Sequence, residues 1–169
     1  MSALTMNAAS EWRVWSDGSA INNPGPAGFG VYIEQGNGER WTLHGSSRNT
    51  TNNRAEQYAF LQAVLAIPED QPAIIRTDSQ YVVKGCTEYR AGWQSRGMRT
   101  ADKKPVLNTD LWKLIWEAID QRPLVCIKWT KGHADDQGNA IADRIAREAA
   151  HRVKQTGKRE DLTRTAINT

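Results

Sequence analysis

The stretch NNRAEQYAFLQAVLAIPEDQPAIIRTD, residues 52–78, decides the fold class of this chain. Small and apolar side chains recur with helical spacing from Ala55 to Ala66, and Pro68 ends the pattern, which predicts an amphipathic helix. Ala73 to Thr77 follows as a short apolar strand. Because a helix between two strands of one sheet implies a parallel pair with a right-handed crossover, we expect a mixed sheet.

The residues before this stretch predict an antiparallel meander of three strands. Trp12 to Trp15 belong to the first strand, and a turn-rich loop from Gly18 to Gly28 separates it from the second, Phe29 to Glu34. Gln35 to Gly38 has the composition of a hairpin turn, and alternation resumes at Trp41 in the third strand. The first third of the chain is therefore predicted to be all β.

The residues after this stretch complete an α/β fold, a five-stranded mixed β-sheet flanked by α-helices. We expect a helix from Thr109 to Gln121, a fifth strand from Leu124 to Trp129, and a last helix from Gly138 or Asn139 to Gln155 that stops at Gly157. One domain is predicted over residues 11–157. The polar leader, residues 1–10, and the basic polar tail, residues 158–169, are expected to be disordered.

Composition narrows the class of protein without giving its function. The 169 residues carry a net charge of +3, which permits a polyanionic partner and does not require one. The two cysteines, Cys86 and Cys126, lack C-x-x-C spacing, so neither a disulfide framework nor a zinc site is indicated. Neither a signal peptide nor a membrane span is recognisable in the sequence. We expect a soluble cytoplasmic protein, monomeric and without a membrane partner.

Three carboxylates are predicted to converge at one edge of the sheet. Asp17 and Asp78 end strands that are expected to be parallel, and Glu56 lies on the first turns of the crossover helix between them. Open sheets place their functional sites at the carboxyl ends of parallel strands. Carboxylates held close together repel one another unless a cation neutralises them, and ligands that are all oxygen favour Mg²⁺ or Mn²⁺ over zinc. The pattern therefore indicates a divalent metal site.

Each of these acids also has an ordinary structural interpretation. Asp17 could belong to a turn, and Glu56 stands three residues after Asn53, which is the spacing of a capping box. Asp78 could cap a short helix after its strand. The predicted topology, which brings all three together, favours the metal site.

The same residues lie in six motifs that occur in order along the chain. They are Asp17–Ser19 with Asn23–Pro26, Thr50–Glu56, Thr77–Val82, Thr100–Val106 with Asp110–Trp112, Trp129–Ala134, and Asn139–Asp143. Together they resemble ribonuclease H of type 1, the family of nucleases that act on RNA/DNA hybrids. The resemblance covers most of the chain and implies the ribonuclease H-like fold, which agrees with the predicted mixed sheet.

The resemblance also implies the site residues. By similarity, Asp17, Glu56, Asp78 and Asp143 bind the metal, and His133, in the loop before the last helix, assists proton transfer or product release. For Asp143 the local pattern offers an equally good explanation, an ion pair with Arg147 four residues later. The family's chemistry uses two Mg²⁺ ions, for which Mn²⁺ can substitute, to hydrolyse the RNA strand and leave 5′-phosphate and 3′-hydroxyl ends.

Substrate contacts are carried over by the same similarity. Asn23, Asn52 and Gln80 are expected near 2′-hydroxyls of the RNA strand, and Asn53 near a base. Thr51 and Arg54 are expected to bind a DNA phosphate. Two of these, Asn23 and Asn52, could instead be simply turn residues.

A basic protrusion is expected to follow the DNA strand through Tyr89, Trp93 and Arg96. This part departs from the family pattern, and the unusual residues are Gly92, Gln94, Ser95 and Met98. Weaker and more salt-sensitive binding of the hybrid is the expected consequence. A second departure, Asp135 with Asp136, adds negative charge beside His133.

Two other functions compete with hybrid cleavage. A non-catalytic hybrid-binding domain of the same fold would tolerate losses among the four acids, and here all four are present together with His133. Related nucleases with this sheet are disfavoured because a proofreading exonuclease carries an acid where Ser19 stands, and a transposase places its Glu last, whereas Glu56 comes second.

Overall fold

The computed structural model of the protein describes residues 11–132 and 136–167. Its strands are β1 (Trp12–Ala20), β2 (Gly25–Glu34), β3 (Arg40–Thr50), β4 (Ala73–Thr77), β5 (Val125–Trp129) and β6 (Thr163–Ile167). Its helices are α1 (Asn52–Leu65), α2 (Gln80–Lys84), α3 (Arg90–Ser95), α4 (Thr109–Asp120) and α5 (Gln137–Thr156), and a π-helical turn (Gly85–Tyr89) joins α2 to α3. No helix in these described parts is both long enough and apolar enough to cross a membrane.

The strands form one mixed sheet in the order β5-β4-β1-β2-β3-β6. Strands β1, β2 and β3 are antiparallel neighbours, as the meander prediction requires. Strand β4 pairs with β1 in parallel, and β5 pairs with β4 in parallel. The mixed sheet predicted from residues 52–78 is therefore confirmed.

The tail after Gly157 contains a sixth strand, so the predictions of five strands and of a disordered tail are wrong for Thr163–Ile167. Strand β6 pairs antiparallel with β3 along Arg40–His44. Glu160, three residues before β6, holds the start of the tail in place. Its backbone exchanges hydrogen bonds with Ser46, and its carboxylate accepts a 2.7 Å hydrogen bond from Arg152 Nε. The leader, residues 1–10, lies outside the described residues.

Helix α1 lies between the sheet and α4 and is buried on most of its surface. Phe60 and Val64 are fully buried in the main core. Tyr58 and Leu65 belong to the predicted apolar face but are exposed, so the prediction of an ordinary amphipathic helix is wrong in this respect. Trp112 and Ile115 of α4 close the core from the far side of α1. This burial fixes α1 firmly against the strand that carries Asp17.

Helix α5 covers the opposite face of the sheet at unusually close range. A Cβ atom at Gly28 or Gly30 of β2 would overlap the backbone of α5. The facing residues of the helix, Ala142 and Ala146, are small and fully buried. Gly30 also pairs with Asp17 across the two strands. The contact therefore fixes the distance between α5 and the part of β1 that carries Asp17.

Candidate active site

The carboxylates of Asp17, Glu56 and Asp78 meet at one edge of the sheet. The parallel pairing of β1 with β4 ends at Ser16 opposite Thr77, so the next residues of the two strands, Asp17 and Asp78, emerge side by side. One carboxylate oxygen from each of the three residues lies within 4.8 Å of the others. The structure thus brings together the three acids that the topology predicted would converge.

Glu56 reaches this cluster from the second turn of α1. Thr51 is the N-cap of the helix, and its hydroxyl accepts a 3.2 Å hydrogen bond from the backbone N–H of Arg54. The capping-box interpretation with Asn53 is therefore wrong, because Asn53 already lies inside the helix. The Glu56 carboxylate instead accepts a hydrogen bond from the backbone N–H of Gly18.

Glycine is required at position 18 for this arrangement. A Cβ atom there would overlap the backbone of Ala55 and Glu56. Strand β1 and helix α1 can therefore approach closely only because residue 18 has no side chain. The close approach delivers the Glu56 carboxylate to Asp17.

Asp78 does not cap the helix that follows it. That role belongs to Ser79, whose hydroxyl accepts a 3.2 Å hydrogen bond from the backbone N–H of Val82. Asp78 is less buried than Asp17 and Glu56, so its side chain is the most accessible of the three. Its carboxylate is left available to the cluster.

The cluster is electrostatically costly without a cation. Burial, with the charges of Glu56 and Asp78, raises the pKa of Asp17 to about 11. Burial and the charge of Asp78 raise the pKa of Glu56 to about 8. Burial also raises the pKa of Asp78. The metal-free site therefore holds protons at neutral pH, and a divalent cation could replace them.

Asp143 of α5 lies beside the cluster and makes the predicted ion pair. Its Oδ2 accepts a 2.9 Å hydrogen bond from Arg147 Nε. The neighbouring Asp143 side chain contributes to the raised pKa of Asp17. The predicted ion pair is thus confirmed, and the metal role of Asp143 stays a prediction. Its partly exposed carboxylate forms the outer side of the site.

The loop before α5 is described only at its two ends. His133 and Asp135 lie outside the described residues. Asp136 is the N-cap of α5, and its Oδ1 accepts a 3.0 Å hydrogen bond from the backbone N–H of Asn139. Its Oδ2 accepts another 3.0 Å hydrogen bond, from the Thr130 hydroxyl. The structure therefore gives Asp136 a local role that the sequence pattern did not suggest.

The two asparagines expected near the RNA strand hold the loops beside the cluster. Asn23 Oδ1 accepts a 2.9 Å hydrogen bond from the backbone N–H of Asn52. Asn52 Oδ1 accepts a 3.1 Å hydrogen bond from the backbone N–H of Ala20. The turn interpretation is confirmed for Asn23, which lies between β1 and β2, and is wrong for Asn52, which is the first residue of α1. Both side chains remain exposed, as do those of Asn53 and Gln80.

Arg54 is held by α4. Its guanidinium donates to both carboxylate oxygens of Asp110, at 2.9 and 2.7 Å, and to Asn108 Oδ1 at 3.3 Å. This bidentate pair holds the pKa of Asp110 at about 2. Arg54 is therefore fixed in place beside the Thr51 cap, and its positive charge is paired with the carboxylate of Asp110.

The residues of the predicted basic protrusion lie on α3 and at its two ends, with Tyr89 before the helix and Arg96 after it. Trp93 is partly buried in an aromatic cluster, with ring centroids 5.4 Å from Tyr89, 5.7 Å from Trp112 and 6.2 Å from Trp116. Tyr89 is well exposed, and Arg96 is exposed with its Nε donating to the Arg99 carbonyl at 3.0 Å. Trp93 thus stabilises the core as well as lining the protrusion.

Comparisons with known proteins agree with the geometry. The family model for RNase H matches residues 9–151. A ribonuclease H of Bordetella bronchiseptica is 45% identical over 142 residues, which are 84% of this chain and 90% of that protein. A ribonuclease H of Alkalilimnicola ehrlichii is 46% identical over 145 residues, which are 85% of this chain and 97% of that protein.

Solved structures show the same architecture. LC9-RNase H1, a type 1 RNase H with the type 2 active-site motif, superposes with a TM-score of 0.74 at 29% identity, over 90% of this chain and 77% of its own. LC11-RNase H1, solved in complex with an RNA/DNA hybrid, superposes with a TM-score of 0.64 at 25% identity, over 85% and 99%. The resemblance inferred from the motifs is confirmed, and the chain belongs to the ribonuclease H family of hydrolytic nucleases.

Proposed function

We propose that this chain hydrolyses the RNA strand of RNA/DNA hybrids with two Mg²⁺ ions and leaves 5′-phosphate and 3′-hydroxyl ends. The observation that carries the proposal is the cluster of Asp17, Glu56 and Asp78, whose oxygens lie within 4.8 Å of one another. Membership of the ribonuclease H family supports the reaction class. The hybrid bound to LC11-RNase H1 supports the substrate.

The residues of the cluster suit Mg²⁺. They offer only carboxylate oxygens, which hard divalent cations prefer, and burial makes their negative charges costly to leave unpaired. Bound Mg²⁺ would activate the attacking water and stabilise the leaving 3′ oxygen. Mn²⁺ shares this ligand preference and is expected to substitute.

The side chains of the four acids interact with one another. Asp17 and Asp78 interact with each other, and each also interacts with Glu56 and Asp143. Asp17, Glu56, Asp78 and Asp143 would therefore hold the two ions between them. For that, Asp143 must share its carboxylate with Arg147 or release it. His133 is proposed to assist proton transfer or product release.

The loops beside the cluster are suited to recognise the RNA strand. The amide oxygens of Asn23 and Asn52 accept backbone hydrogen bonds, which turns their NH₂ groups to other partners. A 2′-hydroxyl can accept such a hydrogen bond, and DNA lacks it. Exposed Gln80 is proposed to contact a second 2′-hydroxyl, and exposed Asn53 a base.

The DNA strand is proposed to follow the start of α1 and the protrusion. Thr51 and Arg54 lie together at that helix terminus, where a phosphate is favoured, and Asp110 fixes the direction of the Arg54 guanidinium. Tyr89, Trp93 and Arg96 extend this surface along α3. The protein is proposed to act as a monomer in the cytoplasm.

A substrate panel tests the proposal. Hybrid, duplex RNA, duplex DNA and single-stranded DNA, each labelled on one strand at a time, would be incubated with the protein and Mg²⁺. We expect cleavage of the RNA strand of the hybrid alone, with products that a ligase requiring a 5′-phosphate can join. Preferential cleavage of any other substrate, or the opposite end chemistry, would contradict the proposal.

A further inference from the structure

Trp129, the last residue of β5, is exposed for 44% of its surface. Within the described residues, its ring is not part of either apolar cluster of the core. Burial of apolar surface is the usual reason for a tryptophan inside a small domain. Burial therefore does not explain this residue.

The indole of Trp129 makes a polar contact with the site. Its Nε1–H donates a 3.1 Å hydrogen bond to the backbone carbonyl of Asp78. One residue later, the backbone N–H of Thr130 donates to the Thr77 carbonyl at 2.9 Å. Together the two hydrogen bonds tie the end of β5 to the end of β4, where the chain leaves the sheet. The second is ordinary strand pairing, whereas the first depends on the Trp129 side chain.

The backbone of Asp78 needs such a restraint. Asp78 is the least buried acid of the three, and it follows the last paired residue of its strand. A donor fixed on the neighbouring strand holds the Asp78 carbonyl, and with it the backbone angle that directs the side chain.

We propose that Trp129 is a positioning residue that holds Asp78 in the geometry required to bind a divalent cation. The inference rests on the proposed metal role of Asp78. Trp129 itself touches neither metal nor substrate in this role and acts through the Asp78 backbone. Partners that orient metal ligands in this way usually contribute about 10–100-fold to metal affinity or activity.

Trp116 provides a matched comparison. Its Nε1–H also donates to a backbone carbonyl, that of Gly85, at 3.2 Å. Trp116 is only 3% exposed and belongs to the main core, away from the carboxylates. Trp129→Phe and Trp116→Phe therefore remove the same kind of hydrogen bond, once beside the cluster and once far from it.

The test measures metal binding in two ways. One readout is the rise in melting temperature of the full chain on titration with Mg²⁺, and the other is the Mg²⁺ concentration that gives half-maximal cleavage of a hybrid. For Trp129→Phe we expect both midpoints to move to about tenfold higher Mg²⁺ with little change in KM for the hybrid. Trp129→His, which keeps a ring N–H donor, is expected to recover part of the loss.

The outcomes separate positioning from a purely structural role. Trp116→Phe is expected to lower the melting temperature in chelator without moving the Mg²⁺ midpoints. If Trp129→Phe behaves in the same way, Trp129 is a structural residue and the inference is overturned. The inference also fails if Mg²⁺ does not stabilise the parent chain. Absence of cleavage by the parent would refute the proposed function, and the thermal titration would still decide the role of Trp129.

Discussion

Asp17 has a proton affinity in the metal-free protein that no isolated aspartate has. Burial and the neighbouring acids raise its pKa to about 11, so folding without metal must either protonate it or bury its charge beside others. We predict that Asp17→Asn abolishes cleavage and, in chelator at pH 7, raises the free energy of unfolding by roughly 1–3 kcal/mol. Urea denaturation followed by circular dichroism measures the difference.

The exposed acid Asp102 provides the control for this variant. Asp102→Asn should change neither stability nor cleavage to a comparable degree. A metal-free Asp17→Asn protein that is less stable than the parent would contradict the electrostatic account of the site.

The raised pKa values also set the pH dependence of stability. Glu56 has a pKa of about 8 and Asp17 of about 11 in the folded chain, against ordinary values of 4.5 and 3.8. At a pH between the ordinary and the raised pKa of each group, the folded state binds more protons than the unfolded state, so the free energy of unfolding falls as pH rises. In chelator we predict that the melting temperature declines from pH 5 to pH 8, and that saturating Mg²⁺ reduces the slope. Scanning calorimetry over that range would show a flat or rising profile if the account is wrong.

For individual residues, the sequence predicted where a side chain lies better than it predicted which residue that side chain binds. The convergence of Asp17 and Asp78 followed from topology, because both residues come directly after the last parallel pair of β1 and β4. The predicted end of β1 at Asp17 was wrong, since the strand continues to Ala20. The cap of α1 did not, since Thr51 and Asn53 are both good capping residues, and only the extended backbone of Thr51 distinguishes them. Arg54 was expected to face a phosphate, and the pattern contained no signal that Asp110, 56 residues later, binds it.

Strand β6 is the element that the sequence did not predict. Four of its five residues are exposed, so it lacks the apolar alternation by which strands are recognised. Its contacts are long-range, and they include Arg164 stacked 4.0 Å from the centre of the Trp41 ring. Helix α1 was misjudged for the opposite reason, because most of its surface is buried, and its exposed side carries the apolar side chains of Tyr58 and Leu65 instead of a polar stripe.

Removing β6 tests its contribution. A chain ending at Leu162 loses the pairing with β3 and the stacking on Trp41, and we predict that its free energy of unfolding falls by about 1–2 kcal/mol. Cleavage at a temperature where both chains are folded should be unchanged, because β6 is an edge strand that pairs with β3, whereas Asp17 lies on β1 and Asp78 follows β4. Calorimetry and a hybrid assay measure the two effects. Unchanged stability would show that the strand is dispensable.

The aromatic residues of α3 and the turn before it allow a paired prediction. Trp93 packs on Trp112 and Trp116, whereas Tyr89 is 43% exposed. Trp93→Ala should therefore lower the free energy of unfolding by about 2–3 kcal/mol and raise KM for the hybrid. Tyr89→Ala should raise KM with much less loss of stability. Equal KM values for both variants and the parent would exclude the protrusion from substrate binding.

The whole molecule is organised around the parallel pair of strands β1 and β4. Helix α1 on one face and α5 on the other bring Glu56 and Asp143 to the end of that pair. The approach of α1 depends on Gly18, and that of α5 on Gly28 and Gly30. The sequence predicted the sheet and three of the acids from periodicity. It could not place Asp143 independently, because close packing of a helix on glycines leaves no periodic signal.

We propose that the four carboxylates hold the metal ions with which the chain cuts the RNA strand. The most direct measurement is cleavage of a hybrid labelled on its RNA strand, followed over a Mg²⁺ titration for the parent chain and for Asp17→Asn. We expect RNA cleavage by the parent that rises with Mg²⁺ and disappears in chelator, and none by the variant at any Mg²⁺ concentration. Cleavage by the parent in chelator, or by Asp17→Asn at the parent's rate, would contradict it.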